Sequence, residues 1–514
     1  MSAVRTPVTG VKGFKASLRD VRERYSKRTS AQHKRSILLL VIGGALLRAY
    51  MLWQPITYNE ARAFDLFSSK SYTTIFSEHT DPLNHVLFSA AAKLSTDLFG
   101  ISTIALRLPA FLASVLALPL FYLFVRAMFN RYIGMLALAL VAASAPLIEY
   151  SALGHGHAFT WLFLIAALAL GRHFTKENNV ASAGLIGVVL ALGMWSTTEF
   201  LYAAAGVFVW LFIYILDRFQ GSITRRLSSL AIAFLVFITS MVLFHLPIIA
   251  EQGIGILWEH PTLPMRNWKL FKQDHHDGVF DLWVAVVDTT GGVVASLAII
   301  AVLVAAYISS KYRTLMLSMA IAAIVLVLAK ARVAQPDVWY YMLFFFHIGT
   351  AISLFYLLKF IQEKFMKSLG KRTRTAYTSF GVFVAFGTGL ISISDRIPRF
   401  PEAAWAGAYL GEVMEPRDRV FTEQHWDHPV RFHAYANGVQ REQFHTSPDR
   451  EGWVYLVIPP AQGVGPAELL LKYGSIDMHF GVPEKVKDWP RLEIFAAPKR
   501  AGSFGKVPEG GPIN

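Results

Sequence analysis

The chain has 514 residues, of which 54% are hydrophobic and 13% aromatic while only 16% are charged, and its mean hydropathy is positive. Such a balance excludes an ordinary water-soluble domain and indicates a polytopic membrane protein. The net charge of +14 would suggest nucleic acid in a soluble chain, but the cations lie in short clusters between apolar runs. That is a membrane-topology pattern, so no nucleic-acid partner is expected. Cysteine is absent, which rules out disulfides and thiolate zinc sites.

Residues 1–35 form a basic tail in which only Asp20 and Glu23 oppose many Lys and Arg, and such a tail is expected to stay cytoplasmic. It is too long for a signal-peptide n-region, and no small-residue cleavage site follows the first apolar run, so that run is expected to remain as a helix. Apolar runs of spanning length recur at about 36–53, 104–125, 132–150, 158–171, 181–197, 199–216, 228–249, 291–309, 314–330, 338–358 and 376–394, about eleven in all. Alternate connections are basic, with Arg126 and Arg131, Arg172 and Lys176, Arg225 and Arg226, Lys311 and Arg313, then Lys359 to Arg374. The long segments 54–103, 250–290 and 395–514 should therefore lie on the opposite, outer side.

The expected architecture is a polytopic α-helical membrane domain over 36–394, followed by a small α/β extracytoplasmic domain over 395–514. In the latter, apolar segments at Arg419 to Thr422, Trp453 to Ile458 and Leu492 to Ala496 alternate with helix-like pieces. Arg48, near the outer end of the first run, is expected to snorkel toward the headgroups.

The first outer loop carries Glu60, Asp65, Glu78 and Asp81 and re-enters the membrane with Asn84 and His85. Helical apolar spacing over Glu60 to Ser69 and Leu83 to Leu98, separated by Thr80, Asp81 and Pro82, predicts two surface helices. Glu60 would start one, with Asn84 and His85 at the start of the other, so both sets converge at helix N-termini that favour an anion.

The runs YNEARAF, DPLNHVLFSAAAKLSTDLFG, ALRLPAFLASVLALPLFYLFVRAMFNR and SAPLIEYSALGHGHAF resemble the multi-spanning GT-C glycosyltransferases, the superfamily of protein O-mannosyltransferases and lipid A aminoarabinose transferases. The resemblance covers about residues 40–175 and, beyond them, mainly topology. It implies a polyprenyl-phosphate-linked sugar donor, an inverting transfer, and an acidic pair in the first outer loop. That pair falls on Asn59 and Glu60, so the first acid is an amide here. Where relatives have Ala-Arg-Gly-Tyr, this chain has Gly154, His155, Gly156 and His157.

Sugar transfer from a lipid phosphate to a hydroxyl needs a base for the acceptor proton and cations for the departing phosphate. Glu60 is the first expectation for the base and Asp81 the second, with Asn59 orienting Glu60 or the substrate. Asn84, His85, His155 and His157 are expected to bind substrate. Lys330 and Arg332 lie on the outer side, against the positive-inside tendency, and with Tyr340 are expected at the donor phosphate. No metal site is assigned, although His79, Asp81 and His85 lie close enough in sequence to leave room for a divalent cation.

The expected function is a membrane glycosyltransferase moving a hexosyl or pentosyl unit from a polyprenyl-phosphate donor to an extracytoplasmic glycolipid, polysaccharide or protein, in a bacterial inner membrane. Two alternatives stay open. A non-enzymatic lipid-linked-sugar carrier should gather its polar features near the membrane midplane, and an inactive scaffold of the same fold would account for Asn59.

Overall fold

The computed structural model describes residues 31–177, 180–217, 223–258, 268–365, 379–384, 386–387, 397–445, 452–473 and 479–500. These residues are mostly helical. Among them seven helices are long and apolar enough to cross a membrane: His33–Leu52, Thr103–Met128, His157–Lys176, Thr198–Leu216, Ile223–Phe244, Ser310–Lys330 and Pro336–Lys364. Two bent pairs, Arg131–Ala142 with Ala145–Ala152 and Trp268–Asp288 with Gly292–Ile308, raise the number to as many as nine. The chain is an integral, multi-pass membrane protein.

Eleven spans were expected, and the difference has local causes. The run at 181–197 forms Val180–Ser196, a helix of 17 residues and short for a bilayer. The run at 132–150 breaks at Ser144, where the backbone is extended and Pro146 opens the next helix, bent by 62°. The run at 291–309 continues a preceding helix, Trp268–Thr290, through a 107° bend at Gly291, whose φ of +79° suits glycine. Much of the expected loop 250–290 is therefore helix. The run at 376–394 and the tail at 1–35 lie largely outside the described residues.

Arg48 corrects a second expectation. It does not snorkel but is buried, its guanidinium donating to the carbonyls of Gly44, Val141 and Ala142. The last two are C-terminal carbonyls at the helix break, which need donors from outside the helix.

The bundle core includes Phe121, Phe124, Trp161, Trp210 and Phe344. At one end Arg172 donates to the Ala127 carbonyl, Arg226 to Thr175 and Lys311 to Met128, so the basic connections converge there. The helices that begin at His157 and Leu201 and the one that ends at Lys330 meet at the other end.

On that second end sits a five-stranded sheet: β1 (Arg419–Thr422), β2 (Gly452–Ile458), β3 (His479–Phe480), β4 (Glu484–Trp489) and β5 (Leu492–Arg500). β1 runs parallel to β2, β2 antiparallel to β5, and both β3 and β4 pair antiparallel with β5. The period-two pattern of β2 splits its side chains between two cores. Tyr455 and Val457 share a core with Ala406, Leu410 and Val430 of helices Pro401–Val413 and Asp427–Ala436, while Val454, Leu456 and Ile458 pack on Leu469 and Leu470 of Pro466–Tyr473.

The sheet region docks on the first loop. Phe432 meets Phe64 edge to face at 4.9 Å, and Thr57 bridges Arg399. Asp65, buried on the π-helical turn Phe64–Ser68, pairs with His428 and Arg431 at 2.9 Å and with Arg441 at 3.0 Å, and accepts from the Tyr435 hydroxyl. Burial alone would raise the Asp65 carboxyl, but His428 and the two arginines hold it well below the usual carboxylate range.

Candidate active site

The helix Tyr58–Ala63 begins on a capping box in which Thr57 and Glu60 bond reciprocally. Glu60 is fully buried and receives five donors: Arg107 Nε at 2.6 Å and Nη2 at 2.7 Å, Gly154 N–H at 2.6 Å, and the Thr57 N–H and hydroxyl at 3.0 and 2.9 Å. Two carboxylate oxygens offer about four lone-pair sites, so this group is saturated. Burial would raise its carboxyl, yet Arg107 and the Gly154 N–H bring it to about 2. Arg107, equally buried, also donates to the carbonyls of Met51, Gln54 and Pro55 and so fixes the end of the first span.

The segment Gly154 to His157 divides its labour by residue type. The Gly154 N–H serves Glu60, and the Gly156 N–H donates to His85 Nδ1 at 2.6 Å. A Cβ at Gly156 would stand 2.9 Å from both the His85 Cβ and the Ser196 carbonyl, so only glycine lets the backbone come this close. His155 and His157 point the other way, into a cavity of about 540 Å³. Their rings and that of His85 form a triangle with centroids 5.6 to 6.0 Å apart.

The cavity is also lined by Tyr58, Asn59, Glu199, Tyr202, Trp258, Lys330, Arg332 and Asp337, with Phe400 and His425 contributed by the sheet region. Its volume suits a small-molecule site. Lys330 lies 3.7 Å from Glu199 and over the rings of Tyr202 and Trp258. Ala331, at φ +46°, turns the chain sharply so that Lys330 and Arg332 both face the cavity, a left-handed conformation that non-glycine residues hold only at a cost. Among the described residues the Arg332 side chain makes no hydrogen bond or ion pair. Asp337 lies 3.6 Å from His157 Nε2.

Two of the cavity histidines outside the spanning helices, His85 and His155, are kept neutral. Burial pushes His85 well below the usual imidazole range, and its Nδ1 already accepts a bond, so it offers the cavity a donor through Nε2. Burial and the neighbouring His157 push His155 down to about 4.

Of the residues singled out from sequence, Asn59, His85, His155, His157, Lys330 and Arg332 line this one cavity. Glu60 stands behind the wall. Asp81 is taken by Arg62 at 2.5 Å and by the Leu83 N–H. Asn84 is buried, donating to the Ile75 and Glu78 carbonyls and accepting from Ser89, so it stitches the short helix Tyr72–Ser77 to the next. Tyr340 packs edge to face on Tyr150 at 4.6 Å. No group of three or more His, Asp and Glu among the described residues could hold a metal ion, and His79, Asp81 and His85 do not form one. Arg107, Asp337 and His425 were missed as site-forming residues. Arg107 had a signal, a lone charge within an apolar run. His425 had none, because its place depends on the docking of the sheet region.

Residues 84–245, less than half of the chain, match the family model for dolichyl-phosphate-mannose-protein mannosyltransferase. The structure is similar to that of ArnT from Cupriavidus metallidurans bound to undecaprenyl phosphate, with 12% identity over 90% of this chain and 97% of that one and a TM-score of 0.53. Against the same protein in the apo state the identity is 13%, the coverage equal and the TM-score 0.54. No curated protein matches by sequence. The chain therefore has the fold of the GT-C superfamily of membrane glycosyltransferases.

Proposed function

We propose that the protein transfers a sugar from a polyprenyl-phosphate donor to an acceptor on the side of the membrane away from the cytoplasm. The carrying observation is the pair Lys330 and Arg332, turned into one cavity by the left-handed Ala331, with the Arg332 guanidinium uncommitted among the described residues. A fork of N–H donors without a protein partner suits a phosphate that arrives with the substrate. The similar ArnT structure holds undecaprenyl phosphate, which supports a lipid phosphate as that ligand.

In this reading the acceptor oxygen attacks C1 of the sugar with inversion and the lipid phosphate leaves onto Lys330 and Arg332. Asn59 and the Nε2–H of His85 donate to sugar hydroxyls. Glu60 supports the site from behind by holding Arg107 and Gly154, which also takes the expected base out of contact with substrate. The basic connections gathered at the opposite bundle end support a cytoplasmic placement for that end and for the tail, with the sheet region outside, as in a bacterial inner membrane.

The test uses the detergent-purified protein. Undecaprenyl phosphate is titrated against the fluorescence of cavity tryptophans such as Trp258. Radiolabelled hexoses and pentoses on undecaprenyl and dolichyl phosphate are then supplied as donors, with a membrane extract as acceptor. Saturable binding and release of label from at least one donor are expected. Failure to bind undecaprenyl phosphate together with no donor consumed would overturn the proposal, and binding without turnover would replace it with the carrier or scaffold reading.

A further inference from the structure

If Glu60 is saturated and position 59 is an amide, the acceptor proton needs another destination. Among the described residues two carboxylates line the cavity, Glu199 and Asp337. Glu199 faces Lys330 at 3.7 Å, and so sits beside a cation proposed to hold the phosphate. Asp65 and Asp81 are committed to arginines away from the cavity wall. Two of the cavity histidines offer less, because His85 already accepts the Gly156 N–H at Nδ1 and His155 is buried.

Asp337 differs from all of these. It stands on the short helical turn Pro336–Tyr341 with its side chain 32% exposed. Its Oδ1 accepts the Val338 N–H at 3.0 Å, which fixes the orientation of the carboxylate. Among the described residues its Oδ2 has only the loose approach of His157 Nε2, at 3.6 Å, beyond hydrogen-bond length. One oxygen is anchored and the other is open to the cavity, as a base requires before its substrate arrives.

We infer that Asp337 is the catalytic base of this site, a role the sequence reading expects of Glu60. The role rests on the transfer reaction proposed above. The acceptor O–H proton moves to Asp337 Oδ2 as the acceptor oxygen bonds to sugar C1. The C1–O bond to the lipid phosphate breaks, and its electron pair leaves with the phosphate. His157 Nε2, 3.6 Å from the same oxygen, stands beside the carboxylic acid that results.

The test compares wild type and Asp337→Asn on whichever labelled donor the wild type consumes, measuring kcat, undecaprenyl-phosphate affinity and thermal midpoint for each. Removal of a general base is expected to lower kcat by roughly 10²- to 10⁴-fold, with lipid-phosphate affinity and midpoint unchanged. A variant that keeps kcat within about threefold would overturn the assignment, as would one that loses affinity or midpoint in step with activity, because either result makes Asp337 dispensable or structural. A wild type inactive on every donor overturns the transfer reading itself, and is thereby told apart from failure of this residue's role.

Discussion

Glu60 and Asp337 are both acids at the same end of the bundle, yet their surroundings are opposite. Glu60 is fully buried, receives five hydrogen bonds and faces a buried arginine, whereas Asp337 has one oxygen anchored and the other open beside a histidine. Saturation of that kind builds a wall, whereas the open oxygen is the one the inference above assigns to proton transfer in front of it. The difference lies in the number of partners each group has already found, which is a property of the fold rather than of residue type.

The strongest way to break the comparison is at the saturated acid. Glu60→Gln leaves Arg107 buried without its counter-charge and is expected to cost about 3–5 kcal/mol, read as a lower thermal midpoint in detergent. The same group sets a pH dependence. Its folded value of about 2 lies below its ordinary 4.5, so its stabilisation is complete above 4.5 and is lost as pH falls toward 2. Thermal midpoints of the wild type should decline over that window more than those of Glu60→Gln, and parallel declines would show that Arg107 does not hold Glu60 as described.

The second test concerns the tie between loop and sheet region. Asp65→Asn removes charge from a site shared by His428, Arg431 and Arg441 and is expected to cost about 2–3 kcal/mol, in line with hydrogen bonds to charged groups. Hydrogen exchange should then rise selectively in the helix Asp427–Ala436 and in the loop holding His425. Unchanged exchange there would mean that docking depends on Phe64 and Phe432 instead.

What the sequence disclosed follows the same division. Hydropathy placed the apolar runs, and charge placed the basic connections, because both are collective signals that survive small errors of register. The helix breaks at Ser144 and Gly291 were harder to see, since a bend changes direction without changing composition. At the site, sequence singled out Lys330 and Arg332 through their misplaced charge, and the Gly154 to His157 segment through its pattern. It put Glu60 first and Asp81 second for the base and gave Asp337 no role, because the hydrogen-bond saturation of Glu60 comes from Arg107 and Gly154, which lie 47 and 94 residues away along the chain. Position in a motif carries no record of such partners.

Smaller effects sharpen the open side of the comparison. Arg332→Ala should weaken undecaprenyl-phosphate binding about tenfold or somewhat more, the value of a charged hydrogen bond of roughly 1.5–2 kcal/mol, while leaving the thermal midpoint in place. A loss of stability with binding kept would move the phosphate elsewhere. Ala331→Gly relieves the left-handed strain and is expected to stabilise the protein by about 1 kcal/mol. Destabilisation instead would show that the turn is held by its neighbours without strain.

The most direct measurement sets Glu60→Gln beside Asp337→Asn and determines turnover per folded molecule on one lipid-phosphate sugar donor. The account predicts that Glu60→Gln loses folded protein but keeps turnover within a few-fold, while Asp337→Asn folds normally and loses turnover by about 10²-fold or more. The reverse pattern, full turnover without Asp337 and none without Glu60 in well-folded protein, would contradict it.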